Sequence, residues 1–586
     1  MKNFYSRIRN FKLPKKHEIE LAFFSFNKKE FSLFAIFGLV LLFSTLAILQ
    51  TINTSFMTSV PMHGGSISEG IVGTPRFVNP ILGFSDADRD VISLVYSGLM
   101  RKTPEGLIIP DLAEKYEVTP DGLEYTFTLK EGIVFHDDTP ITTDDIVYTI
   151  NTIKDPITKS PRKSNWDGIN VVKIDDRNIK FVLNQPYATF LQNTTLGIVP
   201  VKLWAGSPVE LNDLNTKPIG SGPYMIDKVT RQSAGTITEY DLTQFKKFSL
   251  GKPYIKDIVL KFYPNEEDMV LALEQKKVDQ ISSLTPLNAE ILKEKGYNVV
   301  SSILPRVFGF FFNQNQNQIF TDKKIIEAID KAIDKDQIVR EVLGGYGVVI
   351  DNPIPPNILS YSKLNNPNTE VLTKEERLAQ AASILAKDGW TKNEDGFLQK
   401  TTTDAKKKKT TSTLDFSIST GNAPELAKSA ELIKQDLAEL GMNVEVKTFE
   451  VGNLNQSVIR PRKYDTLLFG QIINHESDLF AFWHSSQRKD PGLNVAMYTN
   501  ATVDKVLEDA FVTADEEQRV KKYTQFESEI KKDMPAVFLY SPSFIYVVSK
   551  ELKGLAMDKI VSPKDRFSNI YLWYTDTDNV WKIFAE

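Results

Sequence analysis

Residues 112–145 read LAEKYEVTPDGLEYTFTLKEGIVFHDDTPITTDD, and two periodicities meet inside that stretch. Residues 123–129 (LEYTFTL) alternate apolar and polar side chains, the period-2 pattern of a strand with one buried face. The end of the stretch opens residues 142–154 (TTDDIVYTINTIK), which read as a helix. Thr142 or Thr143 can cap it, and Asp144 and Asp145 in its first turn suit the positive end of the helix dipole. Those two carboxylates therefore read as a charged helix start rather than a metal site.

The same mixture continues outward. Residues 179–183 (IKFVL) alternate as a second strand, and residues 64–73 (GGSISEGIVG) begin the folded region. Residues 322–343 carry apolar side chains at helical spacing and stop at Gly344-Gly345. Residues 424–440 form an amphipathic helix stopped by Gly441, and the strand at 444–449 follows at once, a helix-to-strand α/β connection. The polar run 400–413 (KTTTDAKKKKTTST) is expected to be a solvated turn between residues 397–399 and a strand at 414–419. Its four consecutive lysines have no interleaved aromatics, so they do not form a nucleic-acid platform. No internal repeat of 20–50 residues is visible. A single core stops growing near ~250–300 residues, so 586 residues predict at least two lobes.

Ahead of this body, residues 31–52 (FSLFAIFGLVLLFSTLAILQTI) contain no charge. At ~1.5 Å per residue they span about 33 Å, enough for a hydrocarbon core of ~30 Å. Residues 1–30 hold eight basic side chains against three acidic ones, an excess of five. That excess on the N-terminal side places residues 1–30 in the cytoplasm and everything after about residue 53 outside. A long basic segment, a full spanning length and the lack of an A-x-A-like site favour a signal anchor over a cleaved signal peptide. Residues 53–63 (NTSFMTSVPMH) are expected to be a short linker. The chain has no cysteine, so neither a lipidated cysteine nor a disulfide contributes.

With a total formal charge of −5 and +5 in residues 1–30, the remainder carries −10. An acidic body does not neutralise phosphates, which excludes nucleic acid as a partner. The five histidines (His17, His63, His136, His475 and His484) form no H-E-x-x-H motif. Gly220-Ser221-Gly222 has the wrong spacing for a nucleophile elbow, and no phosphate-binding loop is present. Neither an enzyme nor a resident metal or cofactor is expected, although His475 and His484, nine residues apart, leave a metal site open.

Several blocks in collinear order resemble the bacterial extracellular solute-binding proteins of family 5, the oligopeptide, dipeptide and nickel class. Residues 112–145 resemble the family's signature stretch, with Tyr116 where Trp is commoner and Asp138 where Gly is usual. Tyr96-Ser97-Gly98-Leu99 precedes it, and residues 218–224 (PIGSGPY) follow. Further matches lie at 310–313, 328–338, 353–356 (PIPP), Asp388-Gly389-Trp390, Tyr464-Asp465 and 534–537. The resemblance covers residues 64–575.

The resemblance implies an α/β, two-lobed fold of the periplasmic-binding-protein type II, large peptide-binding class, with an extra subdomain and one preceding transmembrane helix. Lobe I would combine 64–95, 205–305 and 537–586; the extra subdomain would be 96–204, and lobe II 306–536. It further implies capture of an oligopeptide by hinge closure and delivery to the permease and ATPase subunits of an ABC importer. The protein would be a membrane-anchored, extracytoplasmic monomer. A tethered sensor or chaperone without a permease, or nickel or haem binding on the same fold, are the alternatives. Within the family an acidic residue after the late Tyr-Asp strand pairs with a peptide's N-terminal amine. Here Asn474 stands at that position, with Glu476 or Asp478 as substitutes; Asp478 also fits a helix N-cap. Phe480, Trp483 and Asn313 complete the expected cleft residues.

Overall fold

The alternation at 123–129 becomes the strand Glu124–Leu129, with Tyr125, Phe127 and Leu129 buried and the residues between them half-exposed. It pairs antiparallel with Asn178–Leu183, so that Tyr125 faces Phe181 and Phe127 faces Ile179. Ala113–Val118 and Ile169–Lys173 flank them in a four-stranded sheet. The helix Thr143–Lys154 starts where expected, and the Asp145 carboxylate accepts the Thr142 N–H at 2.8 Å. Asp138 has φ +66°, a left-handed backbone suited to glycine, and its carboxylate lies 2.9 Å from Lys247 Nζ.

This computed structural model describes residues 15–358, 372–403 and 409–585. Residues 1–14 of the basic segment and 404–408 of the lysine run lie outside the described residues. The rest of that run forms two paired strands, Leu398–Thr403 and Lys409–Thr413, rather than a turn alone. Runs of threonine on both strands give each a β-branched surface that favours pairing.

Two units separate by their contacts: residues 63–575, and a second made of residues 1–62 with 576–586. In the second unit the apolar segment is the helix Lys28–Phe56, with no buried residue. Asn27 caps it, accepting the N–H groups of Lys29 and Glu30 at 2.9 Å while Glu30 returns a bond to the Asn27 N–H. Residues 57–61 of the expected linker are a strand, paired antiparallel with Thr577–Trp581. Residues 576–586 thus group with the helix and not with the lobe that the resemblance assigned them to.

In the larger unit the core falls into two halves. The first centres on Gly64–Val72, which pairs parallel with Ile255–Tyr263. The antiparallel strands Tyr224–Arg231 and Ile237–Gln244 extend that sheet. The four-stranded sheet containing Glu124–Leu129 packs into the same apolar core. The second half is built on Arg306–Phe312, Thr466–Ile472, Asp415–Gly421 and Asn443–Phe449. Along Arg306–Phe312, Val307 and Phe311 enter one core while Phe310 and Phe312 enter another on the opposite face. Helices cover both faces: Lys323–Ala332 and Pro424–Leu440 on one, Ala501–Val512 and Glu516–Asp533 on the other. Such strands read as continuous apolar runs because both faces are buried. The single helix expected at 322–343 is two, Lys323–Ala332 and Lys335–Glu341, because Asp334 caps the second by accepting the Gln337 N–H at 2.8 Å.

One strand belongs to both halves. Within Ala536–Val548, residues 536–540 pair with Arg306–Phe312, and residues 543–548 pair with Asn298–Ile303. Among the described residues the chain crosses between halves only at 304–305 and 541–543, and the Leu304 N–H bonds the Pro542 carbonyl at 2.9 Å.

Candidate functional site

A cavity of about 470 Å³ is lined mostly by the first half and is met by residues 357–358 and 474–476 of the second. Its floor begins with the helix Asp86–Val95, whose Ser85 cap accepts the Asp88 N–H at 3.0 Å. Residues three and four apart share a helix face, so Arg89, Ile92 and Ser93 turn together to the cavity while Asp90, Val91 and Leu94 are buried behind them.

The buried face is pinned by charge. Arg566 is fully buried; its Nη1 and Nη2 meet the Asp90 carboxylate at 2.9 and 2.7 Å, and its Nη2 meets Glu69 Oε1 at 2.7 Å. Tyr546 Oη donates to Glu69 Oε2 at 2.8 Å, and Gln280 Nε2 does so at 2.9 Å. Burial pushes the Asp90 carboxyl up to about 6 against the opposing pull of Arg566. With Arg566 turned inward, its chain neighbours Lys564 and Asp565 line the cavity. Lys102 Nζ reaches Asp565 Oδ2 at 3.3 Å. Burial would raise the Asp565 carboxyl, but Lys102, Lys564 and the Val561 and Ser562 N–H groups outweigh it and hold it below the usual range.

The second half contributes a loop. After Thr466–Ile472, the Asp478 carboxylate accepts the N–H groups of Asn474 and His475 at 2.8 and 3.1 Å. Asp478 is the first residue of the helix Asp478–Trp483, so it shapes the loop and does not line the cavity. Asn474, His475 and Glu476 do line it. Asn474 is exposed. Glu476 is buried, and Arg519 Nε sits 3.2 Å from its Oε1. Burial raises the Glu476 carboxyl, and Arg519 opposes that rise. Burial also lowers the His475 imidazole and so favours the neutral ring, and Asp478 partly offsets that fall.

The other expected cleft residues are elsewhere. Trp483 is fully buried among Phe311, Tyr498, Phe526 and Phe538. Asn313 is buried at a strand end, donating from Nδ2 to the Arg462 carbonyl at 2.9 Å. Phe480 stacks on His484 with ring centroids 4.2 Å apart. None of the three lines the cavity. Their aromatic and amide groups mark the positions where the second half's core needs bulk and a satisfied turn, which the chain alone does not distinguish from a cleft wall. His484 faces Glu508 at 3.3 Å rather than the cavity. Among the described residues no group of three or more His, Cys, Asp or Glu side chains is placed to hold a metal.

The halves also touch away from their crossings. Tyr187 stacks on Phe511 with centroids 5.0 Å apart and rings 13° from parallel, and the Ala188 N–H reaches the Phe511 carbonyl at 3.3 Å. Thr189 Oγ1 and Ser477 Oγ are 3.3 Å apart. The halves are therefore joined by a two-strand crossing and by a separate side-chain contact.

Known proteins resemble this chain in sequence and fold. The family model described as "Bacterial extracellular solute-binding proteins, family 5 Middle" matches residues 108–491. The oligopeptide-binding protein AppA of Bacillus subtilis is 29% identical over 526 residues, covering 88% of this chain and 92% of that protein. Its structure in complex with a nonapeptide superposes with a TM-score of 0.64 at 27% identity, covering 88% and 100% of the two chains. The dipeptide-binding protein of Escherichia coli is 25% identical over 85% of this chain and 93% of its own. NikZ of Campylobacter jejuni, solved with Ni(L-His), gives a TM-score of 0.67 at 25% identity over 87% and 99%.

Proposed function

The chain belongs to the bacterial extracellular solute-binding proteins, family 5, and from that premise we propose that it captures oligopeptides between its two halves and delivers them to an ABC importer. The cavity bounded by both halves carries this reading: about 470 Å³ lined by many polar groups, with Asn474, His475 and Glu476 reaching in from the second half. A peptide needs main-chain partners and roomy, wet pockets for varied side chains. The relatives named for oligopeptides and dipeptides support the same ligand class. Crossings at 304–305 and 541–543 are suited to a hinge, since few backbone dihedrals need change there for one half to rotate on the other. Closure then offers a permease a surface made from both halves.

Within this proposal Asn474 and Glu476 meet the ligand, Asp478 holds their loop, and Phe480, Trp483 and Asn313 support the wall behind it. The protein works as a binding protein without catalysis and as a monomer. Lys28–Phe56 serves as a signal anchor that keeps the N-terminal basic segment in the cytoplasm and the body outside. The test is native mass spectrometry of the full chain purified in detergent, together with thermal shift against a random peptide library. Co-purifying peptide and a library-induced rise in melting temperature are expected. Retention of no peptide and no shift with the library would sink the proposal.

A further inference from the structure

The lining of the cavity reverses the sign of the body around it. Six basic side chains line it (Arg89, Arg101, Lys102, Arg162, Lys559 and Lys564) against three acidic ones, Asp111, Glu476 and Asp565. Each acidic group already has a partner. Arg519 holds Glu476, Lys102 holds Asp565, and Ser249 Oγ donates to Asp111 at 2.6 Å, where burial raises the carboxyl.

The cations are less well matched. Among the described residues Arg101, Arg162, Lys559 and Lys564 have no carboxylate within 4.0 Å, and Arg89 reaches only the exposed Asp86 at 3.5 Å. The Nε atoms of Arg101 and Arg162 are buried without a hydrogen-bond partner. Arg101 instead lies over the Tyr571 ring, 5.5 Å from its centroid. Arg89, Arg162, Lys564 and Lys102 also press on one another. Burial and then Arg89 push the Arg162 guanidinium down to about 10. Burial lowers the Lys564 ammonium, with Asp565 opposing and Arg162, Lys102 and Arg89 adding to the fall.

Like charges gathered in a partly desolvated cleft are costly unless an anion joins them. Planar guanidinium groups suit carboxylates in particular, because two parallel N–H···O bonds form at once. At the opposite wall, Asn474 brings no charge for a ligand's ammonium, and Glu476 is occupied by Arg519. Resting on the peptide reading above, we propose that this cleft selects acidic peptides, taking their side-chain and C-terminal carboxylates on Arg89, Arg101, Arg162 and Lys564. The ligand's orientation is then set by its anionic end, not by its amine. A cationic lining inside a body of net charge −10 also concentrates the attractive field at the cleft mouth, so that approach and selection use the same groups.

The test is calorimetric titration of the full chain in detergent with three hexapeptides of matched size: alternating Glu-Ala, Gln-Ala and Lys-Ala. The acidic peptide is expected to bind about tenfold more tightly than the neutral one, with the basic peptide weakest. Raising salt from about 50 to about 300 mM should shrink that preference, since exposed parts of the cluster are screened. Arg162→Gln and Lys564→Gln should each bring the acidic-to-neutral affinity ratio toward one. The melting temperature serves as the folding control. Equal binding of the three peptides, or preference for the basic one, overturns the inference and leaves the peptide reading standing. Binding of none of them, together with no response to the random library, overturns both.

Discussion

His136 lies inside the signature stretch, yet its ring serves the fold. Its Nε2 is 3.0 Å from the Gly222 carbonyl and its Nδ1 accepts the Gly220 N–H at 3.3 Å, so the neutral ring with its proton on Nε2 satisfies both partners. Burial holds this imidazole down to about 4, against an ordinary value near 6.5. A group whose folded value is depressed contributes stability that is full above the unfolded value and is lost as pH falls toward the folded one. Between about pH 6.5 and pH 4, His136 should therefore cost the native state up to about 3 kcal/mol. Denaturant unfolding at stepped pH values checks this: His136→Gln should flatten that part of the profile, and an unchanged slope would count against it. At the same scale the site was only partly legible. Asn474 and Glu476 were singled out because they follow a recognisable Tyr-Asp strand, and both line the cavity. The cations were not, because Arg89, Arg101, Arg162 and Lys564 come from four separate segments and each alone reads as an ordinary surface charge.

Elements were read more securely where one face is buried. Tyr125, Phe127 and Leu129 alternate because the sheet beneath them has a wet side, and period 2 survives in the sequence. The doubly covered strand Arg306–Phe312 (RVFGFFF) shows no such period, so its neighbours could not be inferred from it. Trp483 and Asn313, expected in the cleft, lie outside the cavity's lining, and a buried aromatic and a ligand-facing one have the same local pattern. Close approach of elements is legible only as glycine. A Cβ at Gly220 would lie 2.1 Å from the Val95 carbonyl oxygen, and one at Gly222 would lie 2.6 Å from the Leu94 carbonyl oxygen. The segment 218–224 therefore packs its backbone against the end of the Asp86–Val95 helix. Gly220→Ala should destabilise by about 1–3 kcal/mol, read as a lower denaturant midpoint. An unchanged midpoint would mean that the helix end yields freely.

For the whole molecule, the contact between Tyr187 and Phe511 matters because it exists only when the halves are near each other. An aromatic pair contributes roughly 0.5–1.5 kcal/mol beyond its buried area, so Tyr187→Ala should weaken peptide affinity about three- to tenfold. The global unfolding midpoint should change far less. Small-angle scattering should show a larger radius of gyration for the variant at equal peptide concentration, and identical curves would argue against this role. The two lobes themselves were legible from length and from the order of the matching blocks, but the strand they share was not. That strand, Ala536–Val548, has a consequence for how the protein is made. Among the described residues Asn298–Ile303 has no other strand partner, and Arg306–Phe312 lacks one of its two neighbours without it. At ~5–20 residues per second, a ribosome adds the last partner on the order of 10–50 s after finishing residue 303. Throughout that interval both half-sheets present bare backbone edges that invite pairing with other chains. Biogenesis thus has a defined window of aggregation risk, and it closes only when one late strand arrives to serve both halves.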